Sequence, residues 1–63
     1  MKYTLENNNL TLFFEGHIDS SNASAIEKEA LEIIDNNKGA AIINDAKNLE
    51  YISSAGLRVI LKI

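Results

Sequence analysis

The chain has no cysteine and a single histidine, so it forms no disulfide, offers no thiolate to a metal and cannot build a metal site from histidine alone. Positive charge is sparse. Six Lys and Arg against nine Asp and Glu leave a formal net charge of −3, and the basic residues are scattered rather than gathered into a patch or stripe. That excludes a protein held on nucleic acid through the phosphate backbone. No run approaches the roughly 20 apolar residues of a membrane span, so membrane insertion is not expected. The opening residues, Met1-Lys-Tyr-Thr-Leu-Glu6, lack the apolar core of a signal peptide. A cytoplasmic protein is the expectation. At 63 residues there is room for one small domain, 1–63, which buries only about 60% of the surface its unfolded chain exposes.

What is present alternates between the periods of strand and helix. Tyr3 to Glu6 alternates apolar and polar, as a half-buried strand does. Asn7-Asn-Asn9 follows, and Asn tolerates the left-handed backbone of a tight turn. Leu10 to Glu15 reads as the second strand, with Leu10, Leu12 and Phe14 on one face and Thr11, Phe13 and Glu15 on the other. Residues 2–16 are therefore expected to form an antiparallel hairpin, and Gly16-His17-Ile18-Asp19 to break the strand. His17 reads as a solvated loop residue, and Asp19 as a loop or cap residue before a helix.

Ser20, Ser21 and Asn22 are N-cap candidates for a helix from about 22 to 36. Ser24 and Glu27 could instead form a capping box one turn later. Ala23, Ile26, Ala30, Ile33 and Ile34 recur at helical spacing and make one apolar face. Glu27, Lys28, Glu29, Glu32 and Asp35 lie largely off it as a solvated surface. The helix should stop at Asn36-Asn37-Lys38-Gly39, with Gly39 or an Asn as the left-handed cap. Ala40-Ala-Ile-Ile-Asn44 is short and continuously apolar, which after a helix reads as a strand parallel to the one before it. Strand, helix, strand over 10–44 is a right-handed βαβ unit. Asp45 to Asn48 is the expected loop beyond it.

The remaining stretch, Asn48 to Leu61, organises the rest. Leu49, Tyr51 and Ile52 are apolar. Ser53, Ser54, Ala55 and Gly56 are small and rich in hydroxyl. Leu57 to Ile63 is apolar at helical spacing, with Leu57, Ile60 and Leu61 as core residues or partner-helix contacts. A Ser pair before such a run reads as a helix N-terminus, because a side-chain oxygen can accept from the unpaired first-turn amides, and Ser54 by itself reads as the N-cap hydroxyl or as a small residue for close packing. The same terminus favours negative charge, so the hydroxyls stand where a phosphate could be held. In open α/β sheets, sites gather at the C-terminal ends of strands, so 16–19 and 45–54 should converge.

Ile52-Ser-Ser-Ala-Gly-Leu-Arg-Val-Ile-Leu61 resembles the signature segment of STAS domains, the anti-sigma-factor antagonist family, whose usual form is Asp-Ser-Ser-Gly-Leu or Asp-Ser-Thr-Gly-Leu. Aligned on Gly56-Leu57, Ser54 takes the phosphorylated position, Ser53 replaces the family's Asp, and Ala55 replaces its second hydroxyl. Gly16-His17-Ile18-Asp19 resembles the family's Gly-x-Leu-Asp, which implies that Asp19 lies near Ser54. The fold expected is α/β, in the order β-β-α-β-α: a small mixed sheet with helices packed on it, an incomplete STAS fold matching the first half of the usual domain. Without that second half, the 40–44 strand is an apolar, uncharged edge. The chain is then expected either to form a homodimer through that edge and the C-terminal helix or to be part of a longer product.

The resemblance implies a non-enzymatic anti-sigma-factor antagonist that regulates transcription. It binds an anti-sigma Ser kinase when Ser54 is unmodified, releases it when Ser54 is phosphorylated, and is reset by a phosphatase. Asp19, Ser53, Gly56 and Arg58 form the switch neighbourhood. Gly56 gives either close access to the backbone or tight helix–sheet packing, and Arg58 either pairs with the phosphate or with Asp19 or is solvated. The alternative is a STAS-like scaffold subunit of a signalling or lipid-transport complex whose binding ignores Ser54. No cofactor is implied. There is no glycine-rich phosphate loop, no nucleophile–base spacing and no paired-carboxylate motif to suggest an enzyme.

Overall fold

In the computed structural model, which describes residues 1–63, five elements follow in the order β1 (Lys2–Glu6), β2 (Asn9–Ile18), α1 (Ala23–Asp35), β3 (Ala41–Ile52) and α2 (Ser54–Lys62). The α/β fold expected from the sequence is present. The sheet has three strands in the order β1-β2-β3, with β1 antiparallel and β3 parallel to the central strand.

The hairpin closes with Glu6 opposite Asn9, so its loop is Asn7 and Asn8 alone. Both have positive φ, 51° and 64°. That is the requirement of a type I′ turn, whose twist matches the strands it joins. Asn8 also ties the hairpin to the far side of the sheet. Its side-chain amide donates to the Gly39 carbonyl at 3.1 Å, and its own carbonyl accepts from the Ala41 amide at 2.9 Å.

The core lies on one face of β2. Leu10, Leu12, Phe14 and Ile18 are all within 2% of complete burial, and Ala23, Ala30 and Val59 close over them. The apolar face of α1 is the one its spacing implies, with Ile26, Ile33 and Ile34 packed against this cluster. In α2 the inward stripe is Gly56, Val59, Ile60 and Ile63, spaced i, i+3, i+4, i+7. Leu57 and Leu61, expected either in the core or against a partner helix, are not core residues: they are turned outward and are 49% and 76% exposed.

Both long strands run further than the local sequence suggests. β2 does not break at Gly16 but continues to Ile18, and His17 is a strand residue. β3 begins at Ala41 and passes straight through Asp45-Ala-Lys-Asn48, read from composition as a loop, to Ile52. The pairing survives because β3 takes up the mismatch in two irregularities, one between the pairs of Phe13 and Glu15 and one between those of Gly16 and His17. At each, β3 carries one residue more than β2. These are β-bulges. The first is braced by Asp45, whose carboxylate accepts from the Lys47 amide at 2.8 Å. At the second, Gly16 has φ +70°, a backbone that residues with side chains avoid. β3 is an edge strand along its full length, and its charged residues all fall after Asn44.

The α1 termini differ from expectation in detail. Asn22 occupies the N-cap, but its side chain makes no cap hydrogen bond. Ser24 lies inside the helix, so no capping box forms. At the C-terminus Asn36 stays right-handed and the left-handed residue is Gly39, beyond the helix end.

Candidate functional site

β2 and β3 end together, with Ile18 opposite Ile52, and the chain turns at once into α2. Ser53 is still extended, with φ −85° and ψ 175°. Its amide completes the strand ladder by donating to the Ile18 carbonyl at 2.9 Å. Its hydroxyl oxygen accepts from the Gly56 amide at 3.3 Å, and its carbonyl accepts from the Leu57 amide at 2.9 Å. Ser53 is thus the last strand residue and the N-cap of α2 at once, the role a Ser has before an apolar helical run.

Gly56 is buried beneath this turn. A Cβ there would lie 2.6 Å from Ile18 Cγ2, 2.8 Å from Ile52 Cγ1 and 2.9 Å from the Ile18 carbonyl oxygen. The small residue lets the first turn of α2 rest directly on the ends of β2 and β3. Of the two readings of Gly56, this geometry answers to close packing. It leaves Ser54, the first residue of α2, exposed, with a hydroxyl that caps nothing. Arg58, one turn further on, is also exposed and has no ion-pair partner within the chain. Residues i and i+4 share a helix face, so Ser54 and Arg58 present side by side.

The second segment reaches the same place from β2. Ile18 carries the carbonyl that receives Ser53, so Asp19 begins its loop beside the α2 terminus. Its carboxylate, however, is turned into that loop: it accepts from both the amide, at 2.8 Å, and the hydroxyl of Ser21. The Asp19 carbonyl accepts from the amides of Asn22 and Ala23 at 3.2 and 2.8 Å. Asn22 then braces the loop from the other side, its Oδ1 accepting from the Asp19 amide at 2.9 Å and its Nδ2 donating to the His17 carbonyl at 2.8 Å. Of the loop and cap readings open to Asp19 before a helix, the structure gives the loop residue, since Asn22 holds the N-cap of α1. The Ser21 hydroxyl, then the Ser21 amide, hold its carboxyl below the usual carboxylate range.

The two matched segments converge, as the topology requires, and Ser53, Ser54 and Gly56 come together with Ile18 and the Asp19 loop. Ser21 and Asn22 set the shape of that loop, a part that goes beyond the capping role their positions suggest. The Asp-x-Ser spacing is the available sign of their part, since Asp and Asn side chains bond backbone two residues on. His17 lies on the opposite face of the sheet, its ring 6.2 Å from that of Tyr51 and tilted by 43°.

No grouping of three or more His, Cys, Asp or Glu side chains could hold a metal. The largest concavity, about 710 Å³ and lined in part by Leu31, Ile34 and Ile42, lies between α1 and the start of β3, away from the α2 terminus. No helix is long and apolar enough to cross a membrane.

Among known families, the STAS domain matches residues 1–63, the whole chain. No curated protein and no solved structure matches it.

Proposed function

This chain belongs to the STAS domain family, and we propose that it works as an anti-sigma-factor antagonist switched by phosphorylation of Ser54. The observation that carries the proposal is the division of labour between adjacent hydroxyls. Ser53 is committed to capping α2, whereas Ser54 is exposed and bonded to nothing, so a kinase can take it without dismantling the helix start. A phosphoserine brings about −1.5 to −2 charges at neutral pH. At a helix N-terminus that charge is tolerated by the first-turn amides, and Arg58 on the same face can pair with it. The domain stays folded while its surface changes sign.

Unmodified, the α2 terminus and the Asp19 loop bind an anti-sigma Ser kinase in the cytoplasm. Phosphorylated, the surface repels an acidic contact on that partner and lets go, and a phosphatase resets it. The protein contributes a surface to this cycle and performs no chemistry itself.

Intact-mass spectrometry of protein from its native host, before and after phosphatase, tests the modification. The expected result is a removable increase of about 80 Da, one phosphate, on Ser54. Ser54→Asp should retain native circular dichroism and lose the kinase partner. Wild-type binding by Ser54→Asp would end the proposal.

One observation favours a second reading, a scaffold subunit whose binding ignores Ser54. The Asp19 carboxylate bonds Ser21 and is spent within its own loop. Equal partner affinity in wild type, Ser54→Ala and Ser54→Asp is the result that reading expects.

A further inference from the structure

β1 is a strand edge with a chemically palindromic sequence, and we propose that it pairs with β1 of a second copy of this chain. The bond from the Ala41 amide to the Asn8 carbonyl fixes which way each backbone group of the sheet points. Asn8 directs its carbonyl to β3, so the amide of Asn9 on the other side of that peptide unit faces β1. Residues 9, 11 and 13 therefore bond across to their register partners Glu6, Thr4 and Lys2. By alternation, the N–H and C=O groups of Tyr3 and Leu5 point away from the sheet with nothing to receive them. All five residues of β1 are exposed. The strand has no proline and no bulge to blunt its edge.

Antiparallel pairing about a two-fold axis through Thr4 satisfies these groups. Tyr3 then lies opposite Leu5 of the second copy as a hydrogen-bonded pair, and the reverse pair forms by symmetry. Their side chains share the sheet face that carries the helices, where α1 leaves them 49% and 48% exposed, so each covers the other across the seam. On the opposite face, Lys2 meets Glu6 of the second copy, twice over. Opposite charges directly across strands are favourable and like charges unfavourable. Glu6 has no ion-pair partner within its own chain, and Lys2 has only a 3.7 Å contact with Glu15, at 77% exposure. This charge match is what selects a second copy as the occupant: a strand reading cation, aromatic, Thr, aliphatic, anion is complementary to its own reverse.

The other edge offers less. Along β3 only Ala41 to Asn44 is free of charge, and the pairings that would set Asp45 opposite Lys47 or Lys47 opposite Glu50 of a second copy are centred in the bulged stretch 45–51, where the strand is irregular. Pairing through β1 joins two sheets into one of six strands. The interface is isologous and closes on itself. It leaves both α2 termini uncovered, since β1 lies across β2 from β3.

The test is charge reversal with rescue, read by sedimentation equilibrium of the 63-residue chain over about 10 µM to 1 mM. The wild type should be in monomer–dimer equilibrium. Lys2→Glu and Glu6→Lys each set like charges opposite at both symmetric positions and should weaken the dimer about tenfold. The double variant Lys2→Glu/Glu6→Lys restores opposite charges and should restore the dimer. Because the chain has no cysteine, Thr4→Cys introduces one thiol, and the two copies' Thr4 Cα atoms lie about 4.5 Å apart in this register. Mild oxidation should cross-link it efficiently. A monomer throughout the range, a dimer indifferent to either single reversal, a double variant no better than the singles, or cross-linking of Ile43→Cys in place of Thr4→Cys would each overturn the proposal. The last would assign pairing to β3.

Discussion

Gly56→Ala is the substitution for which helix propensity and packing give opposite answers. Within a helix, Ala is favoured over Gly by about 1 kcal/mol, so an isolated α2 would gain. In the folded chain the new methyl meets Ile18 Cγ2 at 2.6 Å, Ile52 Cγ1 at 2.8 Å and the Ile18 carbonyl oxygen at 2.9 Å. The two side chains can rotate in part. The carbonyl cannot, because it accepts the Ser53 amide at 2.9 Å. Relief requires α2 to rise off the strand ends, and overpacking of this kind costs about 2–3 kcal/mol. The net expectation is a loss of about 1–2 kcal/mol, or a fall in Tm of about 4–16 °C for a domain of this size. Thermal and urea unfolding followed by circular dichroism measure it. Amide exchange adds a local signature, since the Ser53 amide should lose protection before those of β1 and β2. A variant as stable as wild type, or more so, would refute the close seating of α2 on Ile18.

Three further outcomes follow from the same geometry. Ser53→Ala removes the α2 cap and should cost about 1 kcal/mol, whereas Ser54→Ala should stay within about 0.5 kcal/mol of wild type; parallel urea titrations separate the two hydroxyls. Phe14→Ala opens the centre of the core at a site 2% exposed and should cost about 3–5 kcal/mol, against a total stability of about 3–9 kcal/mol for a chain this long. Its circular dichroism and amide proton dispersion at 25 °C should show a substantially unfolded population. Asp19 has a lowered pKa in the folded state, caused first by the Ser21 hydroxyl, so the stability it contributes is present above the ordinary carboxylate range and is lost as pH falls through the lowered value. Ser21→Ala should move the Asp19 carboxyl resonance titration upward toward the ordinary range in carbon-13 NMR, and an unmoved midpoint would remove Ser21 as the cause.

How much of this was legible depended on whether local chemistry or tertiary pairing decided the outcome. The paired Asn residues announce the hairpin because few others accept positive φ in succession. Leu10, Leu12 and Phe14 announce its buried face by period, and Ala23, Ile26, Ala30, Ile33 and Ile34 do the same for α1. The cap on α2 is a local interaction that the Ser pair signals, but where β3 ends decides which hydroxyl carries it, and that is Ser53 rather than Ser54. β3 was not legible locally, because Asp45-Ala-Lys-Asn48 has the composition of a loop and is held extended only by β2 beside it, with two bulges absorbing the excess length. The inward face of α2 is set by a related tertiary effect. Leu57 and Leu61 are more apolar than Gly56, but seating on Ile18 selects the smaller residue and rotates the larger ones outward. The Asp19 carboxylate depended on a choice between two acceptable partners, one across the site and one two residues on, and the nearer one holds it.

The bulges of β3 make that strand adjustable in length. In a regular strand, losing one residue turns every later side chain to the opposite face. Between Asp45 and Tyr51 the surplus residues already stand outside the ladder, so deleting one straightens the strand and leaves Leu49 and Ile52 still under the helices. Insertions and deletions can accumulate there over descent while Ser53 continues to arrive opposite Ile18. The N-terminus of α2 is insulated from length drift in the strand that delivers it, and homologues are expected to vary in length between Asp45 and Leu49 more freely than between Ala41 and Asn44.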